Sequence, residues 1–72
     1  MTDAEKKRKG LCLADTFLEE AQIFGQEFQH REMEREYRNK ALGVLAALRH
    51  MGLISSAEWK NRVYMAERRK AG

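Results

Sequence analysis

The sequence predicts an all-α protein, and three observations carry that prediction. Proline is absent from the 72 residues, no run alternates strictly between apolar and polar, and Ala, Leu, Glu, Lys, Arg, Gln and Met dominate while β-branched residues are sparse. The expected architecture is a long helix followed by a short C-terminal helix in an antiparallel αα-hairpin, with the chain oligomeric. A chain this short buries only about 60% of the surface its unfolded form exposes, so self-association or a partner is expected to help stabilise it.

Residues 1–10 read as a basic N-terminal arm carrying Lys6, Lys7, Arg8 and Lys9, and residues 11–72 as a single helical domain. Thr2 with Glu5, Thr16 with Glu19, and Ser55 with Glu58 have capping-box spacing, in which the hydroxyl accepts a hydrogen bond from the N3 amide and the acid reaches back. Between Thr16 and Met51 no residue demands a stop, so a long helix is expected over about 13–51. Gly25 and Gly43 each weaken it by about 1 kcal/mol relative to alanine. Glu34 with Arg38 and Glu36 with Lys40 place an acid four residues before a base, the favourable orientation for a helical pair.

Gly52 can take the left-handed conformation that ends a helix, which gives a turn over 52–55 and a last helix over about 56–70 capped by Ser55. Trp59, Val63 and Ala66 form its apolar face, and Arg68, Arg69 and Lys70 suit the negative end of its dipole. The expected hairpin core is Val44, Leu48, Leu53, Trp59 and Val63.

The phase of the apolar stripe changes along the long helix. At 100° per residue, Leu11, Ala14, Phe17, Leu18, Ala21, Phe24 and Phe28 fall on one side, and Met33, Tyr37, Ala41, Val44, Leu48 and Met51 fall roughly opposite. The second group can be covered by the Trp59 helix. The first is covered either by a bend near Gln29–Arg31 that folds the N-terminal part back as a three-helix bundle, or by another subunit. A straight helix of about 35 residues spans roughly 50 Å and no Gly-Pro or Asn-Gly signal marks a bend, which favours the second solution. The expected protein interface is therefore Leu11, Phe17, Leu18, Ala21, Phe24 and Phe28, used in a homodimer or higher oligomer and for an unidentified partner protein.

The run Leu45–Trp59 resembles SHOCT, the short C-terminal hairpin family. Its pattern is leucines at helical spacing, then Gly-Leu-Ile, a Ser or Thr cap, and an acid followed by a large aromatic. Gly52, Leu53, Ile54, Ser55, Glu58 and Trp59 match it, with Trp59 in place of the more usual Phe, and the resemblance covers residues 41–68. It implies a fold element and a tendency to oligomerise or bind proteins, and it carries no activity.

The charge is asymmetric. Residues 1–36 hold six basic and nine acidic side chains, and residues 37–72 hold eight and two, within a formal net charge of +3. The lone Cys12 cannot form an internal disulfide and fits a reducing compartment, where its apolar neighbours suggest a packing thiol. No apolar run approaches the ~18 residues that a membrane span needs, and the segment after the first basic cluster is too short for a signal peptide, so a cytoplasmic, unprocessed protein is expected.

No catalytic constellation is visible: Ser55 and Ser56 have no informative His or Asp, and their capping role accounts for them. His30 with Glu34 makes half of a helical metal pair, without the second half that a four-ligand zinc site needs. Neither an enzyme nor a cofactor is expected. The expected function is protein–protein contact, as a small adaptor, regulator or inhibitor of bacterial or phage type. The alternative is a nucleic-acid accessory protein whose phosphate contacts come from Lys6, Lys7, Arg8 and Lys9 and from Arg68, Arg69 and Lys70. A helix-turn-helix motif over Ala46–Arg69 fits less well, because Glu58 falls where the second helix should bury an apolar side chain.

Overall fold

The computed structural model of the protein describes residues 1–26 and 30–68. They form three helices, α1 (Asp3–Gln26), α2 (Arg31–His50) and α3 (Ser56–Arg68), with no strand among the described residues.

The first ten residues are not an arm. The Thr2 hydroxyl accepts the Glu5 amide at 3.1 Å, and the Thr2 carbonyl accepts the Lys6 amide at 3.0 Å. Asp3 and Glu5 occupy the first turn, where the helix dipole favours acids, so the Thr2 cap starts α1 and carries the lysines into it. Thr16 starts nothing. It lies inside α1, and its hydroxyl donates back to the Cys12 carbonyl at 3.0 Å.

The expected continuous helix over 13–51 is two helices. α1 ends at Gln26 and α2 begins at Arg31. The His30 amide donates to the Phe24 carbonyl at 2.9 Å, six residues back and so off the α ladder, while the His30 carbonyl accepts the Glu34 amide and opens α2. The chain then folds back. Gly10 lies against Leu48, and the Phe17 and Phe24 rings stand 6.1 and 5.4 Å from Tyr37, so α1 runs antiparallel along α2.

Burial is the physical reason. Opposite-phase stripes on a straight helix each face water, whereas on two antiparallel helices they face each other. Ala14, Leu18 and Ala21 of α1 and Ala41, Leu45 and Leu48 of α2 are all buried. Covering a leucine is worth about 1.5–3 kcal/mol, and a solvated helical hydrogen bond given up at the break costs about 1. Gly10 and the alanines keep the helices close.

The seam of α2 is rotated from the expected one. Leu45, 1% exposed, is its most buried large side chain, whereas Val44 is half-buried and Met51 is 60% exposed. Leu45 lies four residues after Ala41 and three before Leu48, on a line that faces both other helices.

α2 ends as the sequence predicts. Gly52 has φ +75°, its amide donates to the Arg49 carbonyl at 3.0 Å, and the Leu53 amide donates to the Leu48 carbonyl at 2.9 Å. This is the Schellman pattern, and Leu48 and Leu53 add its apolar contact. The Ser55 hydroxyl then accepts the Glu58 amide at 3.0 Å to cap α3. Ile54 is buried just before the cap, and Trp59 packs on the same cluster, the two positions of a hydrophobic staple. The Glu58 carboxylate turns outward, to Lys7 at 3.3 Å and Arg62 at 3.8 Å, so it ties α3 to α1.

Candidate functional site

The α1 face expected to meet a partner is largely covered within the chain. Leu18 and Ala21 are buried against α2, Leu11 and Phe17 pack half-buried on the same core, and Phe24 stacks on Tyr37. Phe28 lies outside the described residues. The face is thus covered by the fold-back, the solution that the sequence favours less, and not by another subunit alone. In the expected hairpin core, Leu48 is buried, and Val44, Leu53, Trp59 and Val63 are half-buried against it. Ala14, Ala41, Leu45 and Ile54 join them. The Cys12 thiol, expected to pack, is exposed.

α3 meets only one flank of the α1–α2 pair. Lys7 reaches Glu58, and the Arg49 guanidinium lies 4.5 Å over the Trp59 ring. A cleft of about 320 Å³ between α1 and α3 is lined by Ala14, Asp15, Leu18, Leu45, Arg62 and Met65 among others. The opposite flank is left open. On α1 it carries Lys6, Leu13, Phe17, Glu20 and Phe24, and on α2 Met33, Tyr37, Lys40, Val44, Ala47 and Met51. From Leu13 to Phe24 and from Met33 to Met51 the steps alternate between four and three residues, the spacing of a coiled-coil seam. That they share a flank follows from their mutual contacts: Phe17 and Phe24 meet Tyr37, and the Lys40 ammonium lies 4.6 Å over Tyr37 and 5.9 Å over Phe17. Leu13 is 46% exposed here and Met51 60%, while the aromatics are half-buried.

This flank is the candidate site, and the sequence contained its signal. Each of α1 and α2 carries two adjacent apolar seams, one turned to the core and one to the open flank. Merging the two in α2, as a single stripe through Ala41, Val44 and Leu48, hid the second. Of the expected interface residues Leu11, Phe17, Leu18, Ala21, Phe24 and Phe28, Phe17 and Phe24 are the ones among the described residues that reach the open flank.

The expected phosphate contacts do not form one patch. Lys7 is paired with Glu58, whereas Arg68, ten residues further along α3 and so about 15 Å away, donates to the Tyr64 hydroxyl at 2.7 Å. Arg69 and Lys70 lie outside the described residues. A surface depression of about 710 Å³ runs along α2 and is lined by Arg31, Glu32, Arg35, Glu36, Asn39 and Lys40. Among the described residues no three His, Cys, Asp or Glu side chains gather as metal ligands, and Glu34 is held instead by Arg38 at 2.7 Å. No helix of the described residues is long and apolar enough to cross a membrane.

Comparison with known proteins adds no template. No protein-family model matches the chain, and neither a curated protein nor a solved structure matches it.

Proposed function

We propose that the protein is a small interaction module that works by protein–protein contact, as an adaptor, regulator or inhibitor, and self-associates through the open flank of the α1–α2 pair. One observation carries this reading. Both helices carry side chains at four-three spacing on the side that α3 leaves bare, with Leu13 and Met51 exposed among them. Exposed apolar side chains such as Leu13 and Met51 gain nothing from facing water, whereas a helical partner covers them. The α2–turn–α3 unit, locked by the Gly52 and Ser55 caps, serves as the hairpin that holds the core on the other flank. The SHOCT resemblance of residues 41–68 points the same way.

Size exclusion coupled to light scattering tests it. The expected mass is twice the 8.4 kDa of the chain, and Leu13→Glu lowers it to one chain while far-ultraviolet helicity is retained. A mass of 8.4 kDa at every concentration up to about 1 mM would exclude any self-interface worth more than ~4 kcal/mol.

A second reading, contact with a polyanion, has its own observation. The fold-back brings Lys6, Arg8 and Lys9 to the end of the molecule where Arg49 and His50 close α2. Duplex DNA binding that weakens steeply as salt rises is its expected signature, and absence of binding at low salt removes it.

A further inference from the structure

We infer that α3 is a lid: it opens as a unit while α1 and α2 stay paired, uncovers the apolar line through Leu18 and Leu45, and is tethered shut by the Lys7–Glu58 ion pair. The device lies on the α3 side of the molecule and operates whether or not the opposite flank has a partner.

The core is shared unevenly among the helices. Ala14, Leu18 and Ala21 of α1 and Ala41, Leu45 and Leu48 of α2 are buried, whereas α3 contributes Ala66, with Trp59 and Val63 half-buried beside it. Lifting α3 therefore forfeits less apolar burial than parting α1 from α2. Elements with few buried apolar contacts are the ones that open below the free energy of global unfolding.

α3 also stands off α1. The cleft of about 320 Å³ between them reaches in to Ala14, Leu18 and Leu45, and a hollow of about 410 Å³ continues it past Leu11 and Cys12 to Ala4. Asp15 and Arg62 line both, so one furrow runs along the inner side of α3, which rests mainly on α2.

The turn and the tether complete the device. Leu53 and Ile54, held in the core ahead of the Ser55 cap, keep the turn in place, so detachment begins at Ser56. A helix of 13 residues is marginal alone in water, so leaving α2 and melting are one event. Across the furrow, the polar tie between described residues runs from Lys7 to Glu58 at 3.3 Å. Their side chains are 42% and 31% exposed, so the pair shifts the opening equilibrium by a small factor, and salt weakens it.

Thiol labelling in the full chain, in a Cys12→Ser background and at one low protein concentration, tests the lid. Ala66 of α3 and Ala21 of α1 are each 1% exposed, so Ala66→Cys and Ala21→Cys place matched thiols that react only on opening. Each rate is taken relative to that of the same thiol in the urea-unfolded chain. Position 66 is expected to label at least ~10-fold faster than position 21, with a weaker urea dependence because less surface is exposed. Tyr37→Ala removes contacts with Phe17 and Phe24 that persist when the lid is open. It should speed labelling at position 21 several-fold and leave position 66 unchanged. Lys7→Gln breaks a pair that is lost in both openings, and should speed both by about two- to five-fold. Equal labelling of the two positions, or acceleration of both by Tyr37→Ala, would overturn the lid. No effect of Lys7→Gln at position 66 would overturn the tether. Should either cysteine variant lose helicity, amide exchange in the unsubstituted chain decides: Val63 and Ala66 are expected to exchange well before Leu18 and Leu45, and equal protection would overturn the lid.

Discussion

Gly10 and Gly43 both lie inside helices, and alanine at the two sites is expected to have opposite consequences. In a solvated helix, Gly→Ala stabilises by about 0.5–1 kcal/mol through the lost freedom of the unfolded chain. At Gly43 nothing lies within 4 Å of a new Cβ, so Gly43→Ala should show that gain in full. At Gly10 the Cβ would stand 2.6 Å from Leu48 Cδ2, 3.0 Å from Cδ1 and 3.1 Å from Cγ. Carbon atoms pack at about 3.5–4.0 Å, so roughly 1 Å must be found by moving Leu48 or separating the helices. Leu48 is 3% exposed and has no free side to move to. Overpacking of this kind costs about 1–3 kcal/mol, which cancels or exceeds the propensity gain. The two variants should therefore differ by about 1–3 kcal/mol, or at ~4–8 °C per kcal/mol by several degrees or more in Tm. Urea unfolding followed by circular dichroism, at one fixed low protein concentration because association adds apparent stability, measures the difference. Equal stabilisation by both substitutions would refute the reasoning. Gly10 would then stand in open solvent, as on a straight, unbroken helix, and α1 could not lie along α2.

Four further outcomes follow from the packing. Leu45→Ala should cost about 2–5 kcal/mol, since that side chain is 1% exposed at the junction of three helices, and a loss below 1 in the same unfolding assay would remove it from the core. Trp59→Ala should cost less, about 2 kcal/mol, because the ring is only half-buried, its Nε1 has no acceptor among the described residues, and one face is covered by the mobile-stemmed Arg49. Ser55→Ala should lose about 1 kcal/mol of cap energy, checked by the same unfolding curve and by faster amide exchange at Glu58. Glu34→Ala should cost about 1–3 kcal/mol, since it strands Arg38, whose side chain is 14% exposed and whose Nε already lacks an acceptor among the described residues. Glu36→Ala, which breaks an exposed 3.7 Å pair with Lys40, should stay within about 0.5.

The local features of this chain were legible because their causes are local. Ser55 and Gly52 act on amides and carbonyls within five residues of themselves, so the end of α2 and the start of α3 could be placed before any packing was known. The Thr2 cap obeys the same rule, and reading residues 1–10 as an arm gave the lysines more weight than the hydroxyl. Thr16 shows the limit of a spacing rule: mid-helix, its hydroxyl finds the carbonyl four residues back, and the same motif caps nothing.

The sequence by itself determined that the protein is helical, where its last turn lies, and that its apolar surface comes in stripes of differing phase. Only the tertiary structure decided how those stripes pair. Helix propensity runs smoothly through residues 16–51, and nothing within a few residues weighs the hydrogen bonds given up near His30 against the contacts of Leu18 with Leu45, twenty-seven residues away. That comparison is long-range. It is won by burial, which needs both helices in place, and its by-product is the second pair of seams left facing out along the bare flank.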